Sequence, residues 1–361
     1  MTKEQFTEAM EYALRCHRER CSCVQPKDIV KFIFQGFLGM GHLLGEPDLV
    51  EKRIRNEIQQ EQPSREEDLT ENLSPAWCRL NLRRAMSEGL APRIISRMMC
   101  VSSSLAGYTI EDVIQLCRSL AEKENNPDIL KEALPLRDTH LLPSHSEAYR
   151  QAYHPAYRVI STAWNDLLPV LCAISNKMAG TARFLVTIDG PCASGKTTLA
   201  HKLSDVLDGD VIHTDDFVVP HDRKTPERLA VPGGNCDWER LVRDVIEPWK
   251  NGAEVRYQKY DCHEDRLKPY EPIMAENILI LEGCYCNLPT IRKYTDFRIF
   301  MDTPEAIRCE RLKRRESPAS LLQFYSRWIP LENSYFTAYD LPDPACFILQ
   351  ASTSCLPAGW S

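Results

Sequence analysis

The sequence predicts an α/β fold, a parallel sheet layered between helices, preceded by a separate mainly α-helical domain. Three observations carry this. Gly190-Pro-Cys-Ala-Ser-Gly195-Lys196-Thr197 has the G-x-x-x-x-G-K-[ST] form of a phosphate-binding loop. It is entered from the apolar run Phe184–Ile188 and followed by the helix-compatible Thr198-Leu-Ala-His-Lys-Leu, which is the strand–loop–helix setting such a loop requires. Across the second half, short β-branched runs alternate with helical segments, as in a parallel sheet covered on both faces. Before about residue 178, apolar residues recur at helical spacing and strand signals are scarce.

In the first half the spacing predicts helices over Glu4–Arg18, Pro26–Phe34, Pro47–Gln60, Ile94–Ser104 and Ile110–Lys123. Pro26 suits a first helical turn, where its missing N–H is no loss. Gln60–Asp68 reads as a polar, solvated loop. The boundary falls near Asn176-Lys-Met-Ala-Gly-Thr-Ala182, giving a helical domain over 1–178 and a phosphate-loop (P-loop NTPase) domain over 179–361. Strands are predicted at Phe184–Ile188, Asp210–His213, Ile278–Leu281, Phe297–Met301 and Cys346–Leu349. Polar residues gather at their C-terminal ends, where open α/β sheets bind ligands.

With 361 residues, 43% hydrophobic and 26% charged, the composition is that of a globular protein large enough for two cores. A net charge of -7 argues against a nucleic-acid-binding surface. Neither a signal peptide nor an apolar run long enough to span a bilayer is visible, so a cytoplasmic location without membrane partners is expected. The 15 cysteines are then expected to be reduced. Cys16, Cys21 and Cys23 lack the paired spacing of a zinc ribbon.

The chemistry of the loop follows from its residues. Gly190 and Gly195 allow the tight turn that aims successive N–H groups inward, so Gly190, Ala193, Ser194, Gly195, Lys196, Thr197 and Thr198 are the candidate nucleotide-binding residues. Lys196 is expected to reach the β- and γ-phosphates of ATP, and Thr197 to hold Mg²⁺. Asp210–Phe217 is an apolar strand that delivers Asp215 and Asp216 to the sheet edge, where a carboxylate can orient a hydroxyl and accept its proton. Ile278-Leu-Ile-Leu-Glu282 has the form of a Walker B strand, ending in an acid suited to the Mg²⁺ water shell. Downstream, spacings of three and four place Arg308, Arg311 and Arg315 on one helical face, as in a lid that closes on phosphates.

These motifs, with Gly-Gly-Asn-Cys-Asp-Trp-Glu-Arg, Tyr-Asp-Cys and Leu-Glu-Gly-Cys-Tyr, make the segment from about Arg183 to Leu349 resemble the uridine kinase family of P-loop kinases. That group includes nicotinamide riboside kinases and phosphoribulokinase. The resemblance implies strand order 2-3-1-4-5, a catalytic base at Asp215 and a Walker B acid at Glu282. Arg311 and Arg315 join Lys196 as catalytic cations. It also implies an acceptor site bounded by Asp216, Tyr260 and Asp261, with Tyr260 or Trp238 packing beside the acceptor's base. The donor would be a nucleoside triphosphate and the acceptor a small hydroxyl compound, most simply a nucleoside-like riboside. Uridine kinases follow the Tyr-Asp pair with an aromatic residue and then a histidine, whereas this chain has Cys262-His263-Glu264-Asp265-Arg266.

Two other functions stay open on the sequence, a nucleoside monophosphate kinase and an ATP-binding regulatory module without acceptor chemistry. Asp215 and Asp216 disfavour the first, because an acceptor phosphate would meet like charge. A homo-oligomer is compatible with the sequence. Trp328, in the aromatic and basic segment after the lid, reads as core. In the first half, His42, His140, His145 and Glu147 could serve a metal or acid–base site. Structural histidines at interhelical turns are the simpler expectation.

Overall fold

The computed structural model describes residues 1–40, 46–63, 67–102, 107–261, 264–274 and 277–350. The chain divides into two compact units, Met1–Asn176 and Lys177–Ser361.

In the first unit, helix Lys3–Arg20 opens with a reciprocal cap: Thr2 Oγ1 accepts the Gln5 N–H and Gln5 Oε1 accepts the Thr2 N–H. Phe6, Met10 and Leu14 form its buried stripe. They share a core with Phe32, Ile33 and Phe37 of helix Pro26–Leu38 and with Val113, Leu116 and Leu120 of helix Ile110–Lys123. Each such side chain, fully buried, contributes about 1.5–3 kcal/mol. The other predicted helices form as Pro47–Ile58 and Pro92–Ser102.

The unit also holds an antiparallel sheet that the sequence reading lacks, built from β1 (Thr70–Asn72), β2 (Trp77–Asn81) and β3 (Tyr157–Ser161) in the order β1-β2-β3. β2 carries Cys78 and Arg79 within an apolar run and buries Trp77 through Leu80, so neither alternation nor polarity marks it. Its partner β3 lies beyond six intervening helices among the described residues, and no hairpin turn joins them.

The second unit has the predicted five-stranded parallel sheet, made of β4 (Phe184–Asp189), β5 (Asp210–His213), β8 (Ile278–Glu282), β9 (Phe297–Asp302) and β10 (Phe347–Gln350). Its order is β5-β8-β4-β9-β10, all pairs parallel, which is 2-3-1-4-5 counted within the sheet. β4 and β8 are buried at every position, as inner strands flanked by helices must be. Leu185, Leu279 and Leu281 pack with Leu241, Val245 and Trp249 from the helical segment after the second strand.

A separate hairpin, β6 (Val255–Asp261) and β7 (Arg266–Ile273), was not expected from the sequence. β7 carries Pro269 and Pro272, which argue against a strand, and both are tolerated because β7 pairs with β6 alone. Among the described residues, no helix is long and apolar enough to cross a membrane.

Candidate active site

The loop after β4 adopts the backbone its glycines allow. Gly190 sits at φ +139°, where a Cβ would lie 2.7 Å from the Met301 carbonyl oxygen. Ala193 holds φ +58°, which costs a non-glycine residue on the order of 1 kcal/mol. Gly195, at φ +103°, is the N-cap of helix Lys196–Leu207, so that helix points its N-terminus at the loop. Lys196 folds back over the loop, its Nζ donating to the carbonyls of Gly190 at 2.9 Å and Pro191 at 3.0 Å. Thr197 and Thr198 are exposed, whereas Ser194 is buried.

The acids arrive from neighbouring strands. β5 and β8 are in register with His213 beside Glu282. Glu282 Oε1 accepts from the Thr197 hydroxyl at 3.0 Å and lies 2.5 Å from His213 Nδ1. That bond raises the His213 pKa above its ordinary value. Thr197 and Glu282 thus offer oxygen donors side by side at the helix N-terminus. This is the hard-ligand chemistry Mg²⁺ prefers, so the residues present fit the ion the loop implies.

Asp215 and Asp216 occupy the 3₁₀ turn Thr214–Phe217 after β5. Asp215 is open to solvent on one side yet surrounded by protein on the others, and the reduced solvation raises its pKa. The negative charge of Glu282 adds to the rise, while Lys196, His213 and Arg315 oppose it. Asp216 is also raised, by burial first, with Lys259 and His213 opposing. Its carboxylate lies 3.4 Å from the Tyr257 hydroxyl and 3.9 Å from Lys259 Nζ. Gly283 keeps the two strand ends close: at φ +132°, a Cβ there would stand 2.0 Å from Thr214 Oγ1.

The arginine segment is helix Glu305–Arg315. Arg311 Nη1 donates to the carbonyls of Ala193 at 3.1 Å and Ser194 at 3.0 Å, so it grips the loop through its backbone. Arg308 donates to the Thr303 carbonyl, and Arg315 pairs with Glu316 beside the Phe324 ring. Trp328 is half-buried with the Arg327 guanidinium 4.7 Å from its ring centroid.

The acceptor candidates are less concentrated. Tyr260 and Asp261 lie at the end of β6; the Tyr260 hydroxyl donates to Asp265, and Asp261 pairs with Lys268 across the hairpin at 2.9 Å. Trp238 packs against the core with the Arg228 guanidinium 3.7 Å from its ring centroid, so one ring face is already covered. The aromatic side chain at Asp216 is Tyr257 rather than Trp238.

In the first unit, His145 is buried between Asp28 and the Tyr157 hydroxyl, Glu147 pairs with Arg150, and His140 is an exposed helix cap. The structure does not gather them into a metal site. Among the described residues no group of three or more His, Cys, Asp or Glu could hold a metal ion. His42, Cys262 and His263 lie outside the described residues.

Sequence reasoning missed His213, Asp189, Glu332 and Tyr335, all of which touch the loop or its acids. Asp189 ends an apolar strand just as Glu282 does, a signal that was present. Glu332 and Tyr335 show only a three-residue spacing, which does not mark them out.

With this geometry in view, residues 185–317 match the model of the Phosphoribulokinase / Uridine kinase family, and this segment is a domain of that family. It is a P-loop kinase domain. Among solved structures, similarity is found to a possible uridine kinase from Bacillus stearothermophilus, at 20% identity over 49% of this chain and 99% of that one, with a TM-score of 0.37. A proposed fructose transport system kinase from Silicibacter is 22% identical over 43% of this chain and 85% of its own, with a TM-score of 0.38. A sugar kinase from Janibacter is 18% identical over 46% and 85%, with a TM-score of 0.27. No curated protein matches.

Proposed function

We propose that the protein is an ATP- and Mg²⁺-dependent phosphotransferase that phosphorylates a hydroxyl of a small molecule, most simply a nucleoside or nucleoside-like riboside. The observation that carries this reading is the juxtaposition of Lys196 and Thr197 with Glu282 and with Asp215, whose ionisation responds to both Lys196 and Glu282.

Lys196 and the inward N–H groups of Gly195 to Thr198 would bind the triphosphate, and Thr197 and Glu282 would hold Mg²⁺, which neutralises charge on the transferring group. Asp215 orients the acceptor hydroxyl and accepts its proton as the oxygen–phosphorus bond forms and the bond to ADP breaks. Such a base is worth about 10²–10⁴-fold. Asp216, held beside Tyr257 and Lys259, fixes the acceptor's neighbouring hydroxyl. The raised pKa of Asp215 brings it nearer neutrality, which suits a group that must take up a proton.

The test is an acceptor screen with purified protein, coupling ADP release to a panel of nucleosides, vitamins and sugars. Turnover with a neutral riboside is expected, with phosphorylated acceptors poor because they would meet Asp215 and Asp216. A preference for nucleoside monophosphates over nucleosides would overturn the reading.

A further inference from the structure

The helix Ile329–Ala338, which follows the arginine helix and two short helical turns, sends two side chains to the phosphate-binding loop. Glu332 Oε2 accepts the Cys192 N–H at 2.9 Å. One turn on, the Tyr335 hydroxyl donates to Asp189 Oδ2 at 2.7 Å and accepts the Asn287 N–H at 3.0 Å. Asp189 completes the set, its Oδ1 accepting the Gly190 N–H at 2.7 Å and its Oδ2 the Asn287 N–H at 2.9 Å. A single helix therefore fixes the first turn of the loop at Asp189, Gly190 and Cys192, and ties it to the segment after the Walker B strand.

Packing alone does not account for these groups. Asp189 is 0% exposed and Glu332 7% exposed. Neither is in a salt bridge among the described residues, although burying an unpaired carboxylate is costly. An apolar pair at 332 and 335 would seat the helix at lower cost, but would leave the Cys192 N–H without its acceptor. Arg311 grips the next two carbonyls of the loop, Ala193 and Ser194, from the arginine helix Glu305–Arg315. The loop backbone is thus held on successive residues by the lid helix and by the helix behind it.

We propose that Glu332 is a positioning residue of the nucleotide site, and that through Glu332, Tyr335 and Asp189 the helix Ile329–Ala338 holds the loop in its phosphate-binding shape. This rests on the nucleotide-binding reading above. Its consequence is reciprocal: what orders the loop for nucleotide also makes bound nucleotide order the helix.

The experiment is a calorimetric titration of the full chain with ADP in the presence of Mg²⁺, with hydrogen exchange of the helix amides as a second readout. Glu332→Leu removes the acceptor and is expected to weaken ADP binding about tenfold. Glu332→Gln keeps an oxygen for the Cys192 N–H and should stay within about twofold. Tyr335→Phe should fall between them. ADP should slow exchange in 329–338 of the wild type and do so less in Glu332→Leu; should that variant not fold, Glu332→Gln and Tyr335→Phe decide. Wild-type binding with unchanged affinity and exchange in Glu332→Leu, or in Tyr335→Phe where the former does not fold, overturns this inference alone. Equal losses in the Leu and Gln variants also overturn it, because they would make charge rather than the hydrogen bond the source. A wild type that does not bind ADP overturns the proposed function and this inference with it.

Discussion

On the proposed function, Lys196 is the side chain on which nucleotide binding depends most. Lys196→Ala is expected to abolish phosphoryl transfer while leaving the melting temperature within a few degrees, and retained turnover with ATP would contradict the assignment of the loop. Asp215→Asn keeps the shape of the side chain and removes its basicity. Steady-state kinetics should show kcat falling by about 10²-fold or more, with ATP binding little changed. Asp216→Asn should be milder, and equal losses would mean the base lies at the other position. Gly283→Ala tests the spacing of the strand ends, because its Cβ would collide with Thr214 Oγ1. Activity should fall sharply with far-UV circular dichroism unchanged. At this scale the loop, both aspartates and Glu282 could be picked out as candidates because each follows or ends an apolar strand. It did not show that Trp238 would be covered by Arg228, because two side chains ten residues apart in a loop-rich segment leave no periodic trace.

Elements were legible where burial is complete and local. The inner strands β4, β8 and β9 stood out because they read as nearly unbroken apolar runs, the edge strands β5 and β10 by short apolar stretches, and the predicted ends of all five differ from the observed ones by a residue or so. The hairpin β6–β7 and the sheet β1–β3 were not, the first because prolines mask an exposed strand and the second because β1 is only three residues long and the β2–β3 pairing is distant in sequence. β3 and helix Pro26–Leu38 also supply the partners of His145, and this makes the first unit sensitive to acid. Burial lowers the His145 pKa from 6.5 to about 4, with the positive charges of Lys31 and Arg79 adding to the fall and the bond to Asp28 opposing it. A pKa depressed on folding gives stability that is present above 6.5 and lost as pH falls through about 4. Thermal melts of the full chain should therefore show a transition that moves down between these values. His145→Gln should flatten that dependence, and an unchanged slope would exclude His145 as its source.

At the scale of the molecule, each unit owns a core, one centred on Phe32 and Trp77 and the other on Leu185 and Trp249. Removal of residues before about Ala179 is expected to leave a soluble, cooperatively folding kinase domain. Circular dichroism and size-exclusion chromatography would check this, and aggregation of several variants ending near the boundary would show that the halves are one folding unit. The expectation of two domains rests on the position of the phosphate-binding loop, which ordinarily follows the first strand of its domain and here begins past the middle of the chain. What the first unit does was not readable, since its buried histidines and carboxylates satisfy one another.

The strand order of the second unit also sets a timetable for synthesis. β4 is the first strand of its sheet to leave the ribosome, yet it is the central one, and the strands on its two sides, β8 and β9, are made only after Ile278 and Phe297. Until then a strand that the finished sheet buries at every position waits with two unpaired edges beside its own loop and helix, as slow, non-local pairing requires. Nascent chains arrested near Tyr270 should therefore bind chaperones and be cut readily around β4, whereas chains long enough to expose Asp302 should become protected there. The residues that would read a nucleotide are written early, and the walls that give them their shape are written late.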